Sequence, residues 1–151
     1  MRIAWISTLA AALALYGSAA AGGQEPGRLM PGFNQERSLG PGENQVYVVN
    51  LKEGEAVLGE ADQHGVDLVI DIFGPDGKLI RTVDSPNGTE GPEPIDLTAL
   101  TAGQYKLVIH TLDKTAPPGQ YVMKIDHVVT AEENGVRLAE KNYPFHAWPT
   151  E

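Results

Sequence analysis

The strongest constraint on the fold of this chain is a run of residues in which every second side chain is apolar. The run follows Gly65 and ends at the turn sequence Pro75-Asp76-Gly77. Its alternating apolar positions are Val66, Leu68, Ile70 and Ile72. A period of two is that of an extended strand with one face against a core. The run therefore predicts a strand over residues 66–73 with these four side chains buried.

The turn after this strand predicts a hairpin. Proline fixes φ and glycine readily adopts positive φ, so the chain is expected to reverse here. Residues 78–83 then return as the partner strand, and either Leu79 or Ile80 faces the core; the alternation leaves open which one. Residues 84–94 contain many breakers and no period, so they predict a loop.

Two segments before this hairpin have the same period. Residues 45–51 predict a strand whose inner face carries Tyr47, Val49 and Leu51. Residues 55–61 predict a second strand, with Ala56 and Leu58 as its inner positions. Both segments are bounded by turn-forming residues, as is typical of short antiparallel strands.

Two later segments begin with the same three residues, Gly103-Gln104-Tyr105 and Gly119-Gln120-Tyr121. Each predicts a strand whose tyrosine ring is buried while its hydroxyl reaches a backbone group or water. His127 is in phase with Tyr121, which predicts a core or edge histidine. With residues 95–100 as a further short strand, about seven or eight strands predict an antiparallel β-sandwich.

The N-terminal residues have the composition of an export signal. Arg2 precedes an apolar run of about 14 residues that ends at Tyr16, and Ala19-Ala20-Ala21 follows. The run is shorter than the roughly 20 residues that a membrane-spanning helix needs. Residues 1–21 therefore predict a cleaved signal peptide, with an uncleaved anchor as the alternative. The mature protein is expected in the periplasm or outside the cell, without membrane association.

Residues 22–34 are rich in glycine and proline and predict a flexible linker. Leu29, Met30 and Phe33 are expected to tether its end to the sandwich, which is assigned to residues 35–129. The chain contains no cysteine, so it has no disulfide and no lipid-modified cysteine. The core alone must stabilise the fold.

Residues 130–151 predict a short C-terminal helix and an aromatic tail. Thr130 and Glu133 have the spacing of a capping box. Asn134-Gly135 is also a hairpin signal, and the apolar positions of the helix are sparse, so the helix must dock on another surface. The tail residues Tyr143, Phe145 and Trp148 are predicted to bind a partner, the alternative being that they cover the open end of the sandwich.

Charge and residue types exclude several functions. The chain has 20 acidic and 11 basic residues and a net charge of -9. A nucleic-acid binder needs a basic face, so no nucleic acid is expected. The chain has no cysteine nucleophile and no G-x-S-x-G elbow, and its four histidines lack metal-ligand spacing. These observations predict a protein that is not an enzyme.

Acidic side chains suggest one metal site. Glu60, Asp62 and Asp67 flank a single predicted turn and could converge on calcium, which prefers carboxylate and carbonyl oxygens. Asp84, Glu90 and Glu93 in the predicted loop form a second such group. The alternative is that these carboxylates belong to solvated turns. No other cofactor is predicted.

Several runs share their pattern of turns and core positions with one known family. They lie within residues 37–128 and read GVDLVIDIFGPDG, SPNG, GPEP, LTAGQYKLVI and APPGQY. On these runs the chain resembles the bacterial pre-peptidase C-terminal (PPC) domain. It is similar to the type found ahead of tetratricopeptide or CHAT-protease regions or beside secreted hydrolases. The resemblance implies a jelly-roll-like β-sandwich with an accessory role. Some members bind calcium, collagen or polysaccharide.

Together these observations predict an all-β protein, an antiparallel jelly-roll-like sandwich with a short C-terminal helix. The predicted function is that of a secreted, non-catalytic accessory or interaction module that contacts a partner protein or a cell-surface component. The alternative is a calcium- or glycan-binding module of an extracellular enzyme system.

Overall fold

The computed structural model describes residues 25–142. The predicted signal peptide and the tail residues Tyr143, Phe145 and Trp148 lie outside the described residues. The described elements are β1 Gly27–Arg28, β2 Asn34–Leu39, β3 Asn44–Leu51, β4 Ala56–His64, β5 Leu68–Phe73, β6 Leu79–Val83, β7 Glu90–Thr98, β8 Gly103–Thr111, β9 Gly119–Val129 and α1 Ala131–Asn142. None of the helical structure in residues 25–142 is long and apolar enough to cross a lipid bilayer.

The nine strands form two sheets. The first sheet has the order β1-β3-β8-β5-β6, and the second has the order β2-β9-β4-β7. Every pairing is antiparallel except that of the two-residue β1 with β3. The buried apolar residues of both sheets form one cluster between them. The predicted β-sandwich is confirmed, with β1 and β2 as strands that the sequence did not predict.

Alternation along the strands determines which residues enter the core. Val66, Leu68, Ile70 and Ile72 are all buried as predicted, and so are Tyr47, Val49 and Leu51. Side chains from the two sheets also meet through polar atoms: the Tyr47 hydroxyl on β3 lies 2.8 Å from the Tyr121 hydroxyl on β9. Burial raises the pKa of Tyr121, so its hydroxyl stays protonated and donates to Gln45 Oε1.

The return strand of the hairpin differs from the prediction, because neither Leu79 nor Ile80 faces the core. The pairing of β5 with β6 shifts register, so that Ile72 lies opposite Arg81 while Phe73 lies opposite Leu79. Ile80 is the extra residue of this bulge and points to solvent. The inner positions of β6 are therefore Arg81 and Val83, of which Val83 is buried.

A second bulge lies between β4 and β9 and reverses the alternation of β9. Leu58 lies opposite His127, but Gly59 lies opposite Ile125, which leaves Asp126 without a partner. Beyond the bulge the alternation of β9 is reversed, so His127 is exposed rather than a core or edge histidine. On β4, Val57 rather than the predicted Leu58 joins the core.

The chain preceding β2 packs on the sandwich. β1 lies beside β3, and the Leu29 amide donates to the Val48 carbonyl at 2.8 Å. Leu29 is buried, and the Phe33 ring contacts Tyr47 edge-on with 5.9 Å between ring centroids, whereas Met30 is exposed. The predicted tether is thus made by Leu29 and Phe33. From residue 27 onward the structure has a strand and a buried anchor where the sequence predicted a flexible linker.

The predicted loop over residues 84–94 is shorter than expected, because β7 begins at Glu90. Pro92 and Pro94 lie within this strand. Proline has no amide to donate, but β7 is at the edge of its sheet and needs hydrogen bonds on one side only. The prolines also leave this edge unsuited to pairing with another strand.

A substitution of Gly59 tests the packing at the second bulge, with a substitution of Gly135 in α1 as its control. A Cβ on Gly59 would lie 2.1 Å from the Lys124 carbonyl oxygen, whereas a Cβ on Gly135 of α1 would meet nothing within 4 Å. We expect Gly59→Ala to lower the free energy of unfolding by about 2 kcal/mol or more, because backbone must move. Gly135→Ala should raise it by up to about 1 kcal/mol. Urea denaturation measures both, and equal midpoints would contradict the packing described.

Candidate functional site

The edge strands β6 and β7 lie on the same side of the sandwich and leave an open groove between the two sheets. The groove has a volume of about 800 Å³. Its principal lining residues are Pro75, Ile80, Arg81, Asp96, Leu97 and Leu100.

The apolar part of the groove is held in place by local geometry. Ile80 is 50 % exposed because the bulge turns it outward, and Leu100, in the bend between β7 and β8, is 83 % exposed. The Tyr105 hydroxyl donates to the Thr101 carbonyl at 2.8 Å, which fixes this bend. Pro75 packs directly on the backbone of Gly103, where a Cβ would lie 2.6 Å from the proline ring. Leu100 is therefore exposed on a rigid bend.

The polar rim of the groove is centred on Asp96. Arg137 of α1 makes two parallel hydrogen bonds to its carboxylate, at 2.9 and 3.0 Å. Lys141 Nζ lies 3.6 Å from Asp96 Oδ2, and Arg81 Nη1 donates to the Asp96 carbonyl at 2.9 Å. The hydrogen bonds from Arg137 hold the pKa of Asp96 below its usual value. Asp96 is thus ionised and joins both sheets to the helix.

Helix α1 docks through polar atoms. Asn134 is buried, and its Nδ2 donates to the Gly54 carbonyl at 2.9 Å and to Thr98 Oγ1 at 3.1 Å. Its Oδ1 accepts from the Arg137 guanidinium at 2.8 Å, which orients the arginine toward Asp96. Val136, one of the sparse apolar positions of the helix, is 56 % exposed, so the docking depends on these polar contacts.

The predicted start of the helix is confirmed. The Thr130 amide donates to Glu133 Oε2 at 2.8 Å, and the Glu133 amide donates to Thr130 Oγ1 at 3.3 Å, which completes the capping box. The hydrogen bonds that the Thr130 amide and hydroxyl donate to the Glu133 carboxylate lower the pKa of Glu133. The helix therefore leaves β9 in a defined direction, with its last turn beside Asp96.

The structure does not bring the predicted calcium ligands Glu60, Asp62 and Asp67 together. Glu60 forms an ion pair with Lys124 across β4 and β9 at 3.6 Å, and Asp62 lies 3.5 Å from His64. Asp67 precedes β5 in the first sheet. Residues 25–142 contain no group of three acidic or histidine side chains arranged to hold a metal ion.

The second predicted acidic group, Asp84, Glu90 and Glu93, is not brought together as a metal site either. Glu90 Oε1 accepts from the Gly65 amide at 2.9 Å, whereas Glu93 is fully buried and accepts from the Ser85 amide at 2.8 Å. Two oxygens in this region, Asp67 Oδ1 and Glu93 Oε1, are buried and accept no hydrogen bond. Burial, and then the charge of Asp84, raise the pKa of Asp67.

Sequence reasoning missed the groove, because its residues come from three separate parts of the chain. One indication was available: Leu79 and Ile80 are adjacent, so an alternating strand cannot bury both. Asp96 and Arg137 are 41 residues apart and carry no local pattern that pairs them.

Comparison with known proteins supports the fold. No protein-family model matches the chain, and no curated protein is similar to it in sequence. The pre-peptidase C-terminal domain of a collagenase from Bacillus anthracis aligns with a TM-score of 0.52 and 16 % identity, covering 68 % of this chain and 95 % of that domain. PliG from Aeromonas hydrophila, a periplasmic inhibitor of g-type lysozyme, aligns with a TM-score of 0.50 and 11 % identity, covering 66 % and 95 %. The resemblance to the PPC domain is confirmed at the level of the fold.

A double-mutant cycle tests the contact between helix and rim. We expect Asp96→Asn and Arg137→Gln to show a coupling of about 1 kcal/mol in the free energy of unfolding at pH 7, because the bidentate pair is partly shielded from water. The exposed Asp76–Lys78 pair is the control and should couple by close to zero. Because the pKa of Asp96 is lowered in the folded state, the coupling is complete above the unfolded pKa of about 4. It should disappear as the pH falls through the lower folded value, and a coupling independent of pH would contradict this assignment.

Proposed function

We propose that this chain is an exported, non-catalytic β-sandwich module that binds another protein through the groove between β6 and β7. The observation that carries this proposal is the exposure of Ile80 and Leu100 on a concave, rigid surface with a charged rim. Exposed apolar surface of this shape is typical of binding sites. The rim restricts the orientation of an apolar group that enters, because Arg81 and Asp96 are already held by hydrogen bonds.

The partner that this groove fits best is a protein loop that inserts an apolar or aromatic side chain. Such anchors in preformed pockets supply most of the affinity of protein interfaces. We propose that the partner is a hydrolase. In support, one solved structure of this fold is a domain of a collagenase, and another is an inhibitor of a lysozyme. The predicted signal peptide supports a partner outside the cytoplasm.

The environment of His110 supports a role without catalysis. His110 Nε2 lies 3.1 Å from Asp71 Oδ2, and Thr82 is the nearby hydroxyl. The Thr82 hydroxyl donates to Asp71 Oδ1 at 2.6 Å instead of to the imidazole. General-base activation needs the hydroxyl to donate to the histidine, so this trio lacks an activated nucleophile.

Site-specific crosslinking tests the proposed surface. A photoreactive amino acid placed at Leu100 should crosslink to an exported hydrolase in intact cells. The same group at Leu112 should give no such product, because Leu112 is also more than half exposed but does not line the groove. With the purified partner, Leu100→Asp should weaken binding by about 30-fold, equivalent to about 2 kcal/mol. Equal crosslinking from both positions, or an unchanged Kd for Leu100→Asp, would exclude the groove.

Calcium binding is the second candidate, and its ligands come from both of the acidic groups that the sequence predicted. Asp67 and Glu93 favour it, since each has a buried oxygen that accepts no hydrogen bond. Asp84 joins them, because its charge acts on Asp67 and its neighbour Ser85 contacts Glu93. A cation that contacts Asp67 Oδ1 or Glu93 Oε1 would satisfy a buried oxygen, but the side chains must move to bind it together, because the described residues hold no group of three arranged for a metal ion.

Thermal melting in calcium tests this candidate. If calcium binds the folded state at these residues, the melting temperature should rise progressively with calcium concentration. Asp67→Asn should abolish the rise, and Glu60→Gln, which alters a residue paired with Lys124, should retain it. An unchanged melting temperature at millimolar calcium rejects the candidate.

A further inference from the structure

Building on the proposed function, we propose that the loop entering the groove between β6 and β7 carries an aspartate or glutamate next to its apolar side chain, and that Arg81 binds this carboxylate. The partner is thereby restricted to proteins that present an acidic and an apolar side chain together on an exposed loop. Arg81 is then the residue that determines specificity, while Ile80 and Leu100 supply the apolar contact.

The register of β6 directs Arg81 into the groove. Arg81 lies opposite the fully buried Ile72, so both residues belong to the inner face of the first sheet. Because β6 is an edge strand and the groove is open, the Arg81 side chain reaches the space between the sheets and remains exposed. Its Nη1 donates to the Asp96 carbonyl at 2.9 Å, which holds the guanidinium across the groove.

Most of the hydrogen-bonding capacity of Arg81 is available to a ligand. A guanidinium has five N–H donors in a planar fork, and the bond to Asp96 is the one hydrogen bond that this side chain makes among residues 25–142. The acceptor is a carbonyl oxygen, so within the same part of the chain no carboxylate pairs with the positive charge. A fork of this kind binds a carboxylate through two parallel hydrogen bonds. Arg81 therefore offers a site for an anion.

The charge of the rim also favours an anion. Arg137 and Lys141 lie beside the Asp96 carboxylate, at 2.9 and 3.6 Å. With the arginine of β6, three cations therefore lie around one carboxylate. The other acidic residue that lines the groove, Asp76, is paired with Lys78 at 2.9 Å. The rim thus carries an excess of positive charge on a chain whose net charge is -9.

An acidic side chain is the anion that this arrangement fits best. Chain-terminal carboxylates are typically bound by successive backbone amides, whereas an arginine fork is typical of sites for acidic side chains and phosphate groups. Ile80 and Leu100 line the same groove as Arg81, so a ligand gains most when it also buries an apolar side chain. A loop with an acidic residue beside an apolar one provides both groups, and a phosphate provides only the first.

A nuclear magnetic resonance titration of the purified protein with short peptides tests this specificity. The probes are acetyl-Gly-Asp-Phe-Asp-Gly-amide and the same peptide with both aspartates replaced by asparagine or by lysine. We expect the aspartate peptide to bind with a Kd about fivefold below that of the asparagine peptide, with shift changes at the Ile80 and Leu100 amides. The lysine peptide should bind most weakly, because the positive rim repels it.

Substitution of Arg81 connects the preference to its proposed cause. Arg81→Gln should remove the preference for aspartate and leave the Kd of the asparagine peptide within about twofold. Arg81→Lys should retain part of the preference, because lysine keeps the charge but lacks the planar fork. The matched control is Arg28→Gln, since Arg28 is also exposed but lies on β1, at the opposite edge of the first sheet from β6. This control should keep the full preference, and the amide spectrum of each variant shows whether it is folded.

Equal affinity for the aspartate and asparagine peptides would overturn the inference, and so would a preference that survives Arg81→Gln or that Arg28→Gln removes. The absence of shift changes at Ile80 and Leu100 with millimolar aspartate peptide would overturn it as well. Crosslinking from Leu100 reports separately on the proposed function. Specific crosslinking together with equal peptide affinities would keep the groove as the binding surface and reject the carboxylate. A preference that depends on Arg81 without any crosslinked hydrolase would keep the carboxylate and reject the hydrolase.

Discussion

The structure depends on the burial of alternating apolar side chains between two sheets that no disulfide connects. The longer strands supply alternate residues to one shared core, so the two sheets are stable only together. The Tyr47, Tyr121 and Gln45 side chains add a polar link across this core, and their hydroxyls and amide satisfy one another. The two open sides of the sandwich differ in how their edge strands are covered.

On one side, β1, Leu29 and Phe33 pack on the sandwich beside β3. On the other side, β6 and β7 diverge and leave the groove. Prolines within β7 make this edge a poor template for strand addition, and Arg81 reaches across from β6 to the Asp96 carbonyl in place of an apolar contact. The same side therefore presents apolar side chains to a ligand without presenting an unprotected strand edge. This combination favours recognition through side chains over pairing of backbones.

The fold leaves function open, because β-sandwiches of this type occur both within enzymes and as inhibitors of enzymes. Protein binding is proposed because of the groove, whose rim joins β6, β7 and α1 at Asp96. The helix contributes to this rim mainly as a polar brace: Asn134 and Arg137 hold it, while Val136 remains exposed. The position of α1 and the polar rim of the groove are thus consequences of the same set of hydrogen bonds.

The sequence by itself determined the strands with strong alternation, the tight turn at Pro75-Asp76-Gly77, the buried tyrosines and the capped helix. These features arise from interactions between residues close in the chain, which a local pattern records. The tertiary structure alone decided the two bulges, the exposure of Ile80 and His127, the burial of Glu93 and the pairing of Asp96 with Arg137. A bulge reverses the inner and outer faces of every residue beyond it, and its position depends on the partner strand. A contact across 41 residues likewise depends on how the sheets and the helix come together, and no local pattern encodes it.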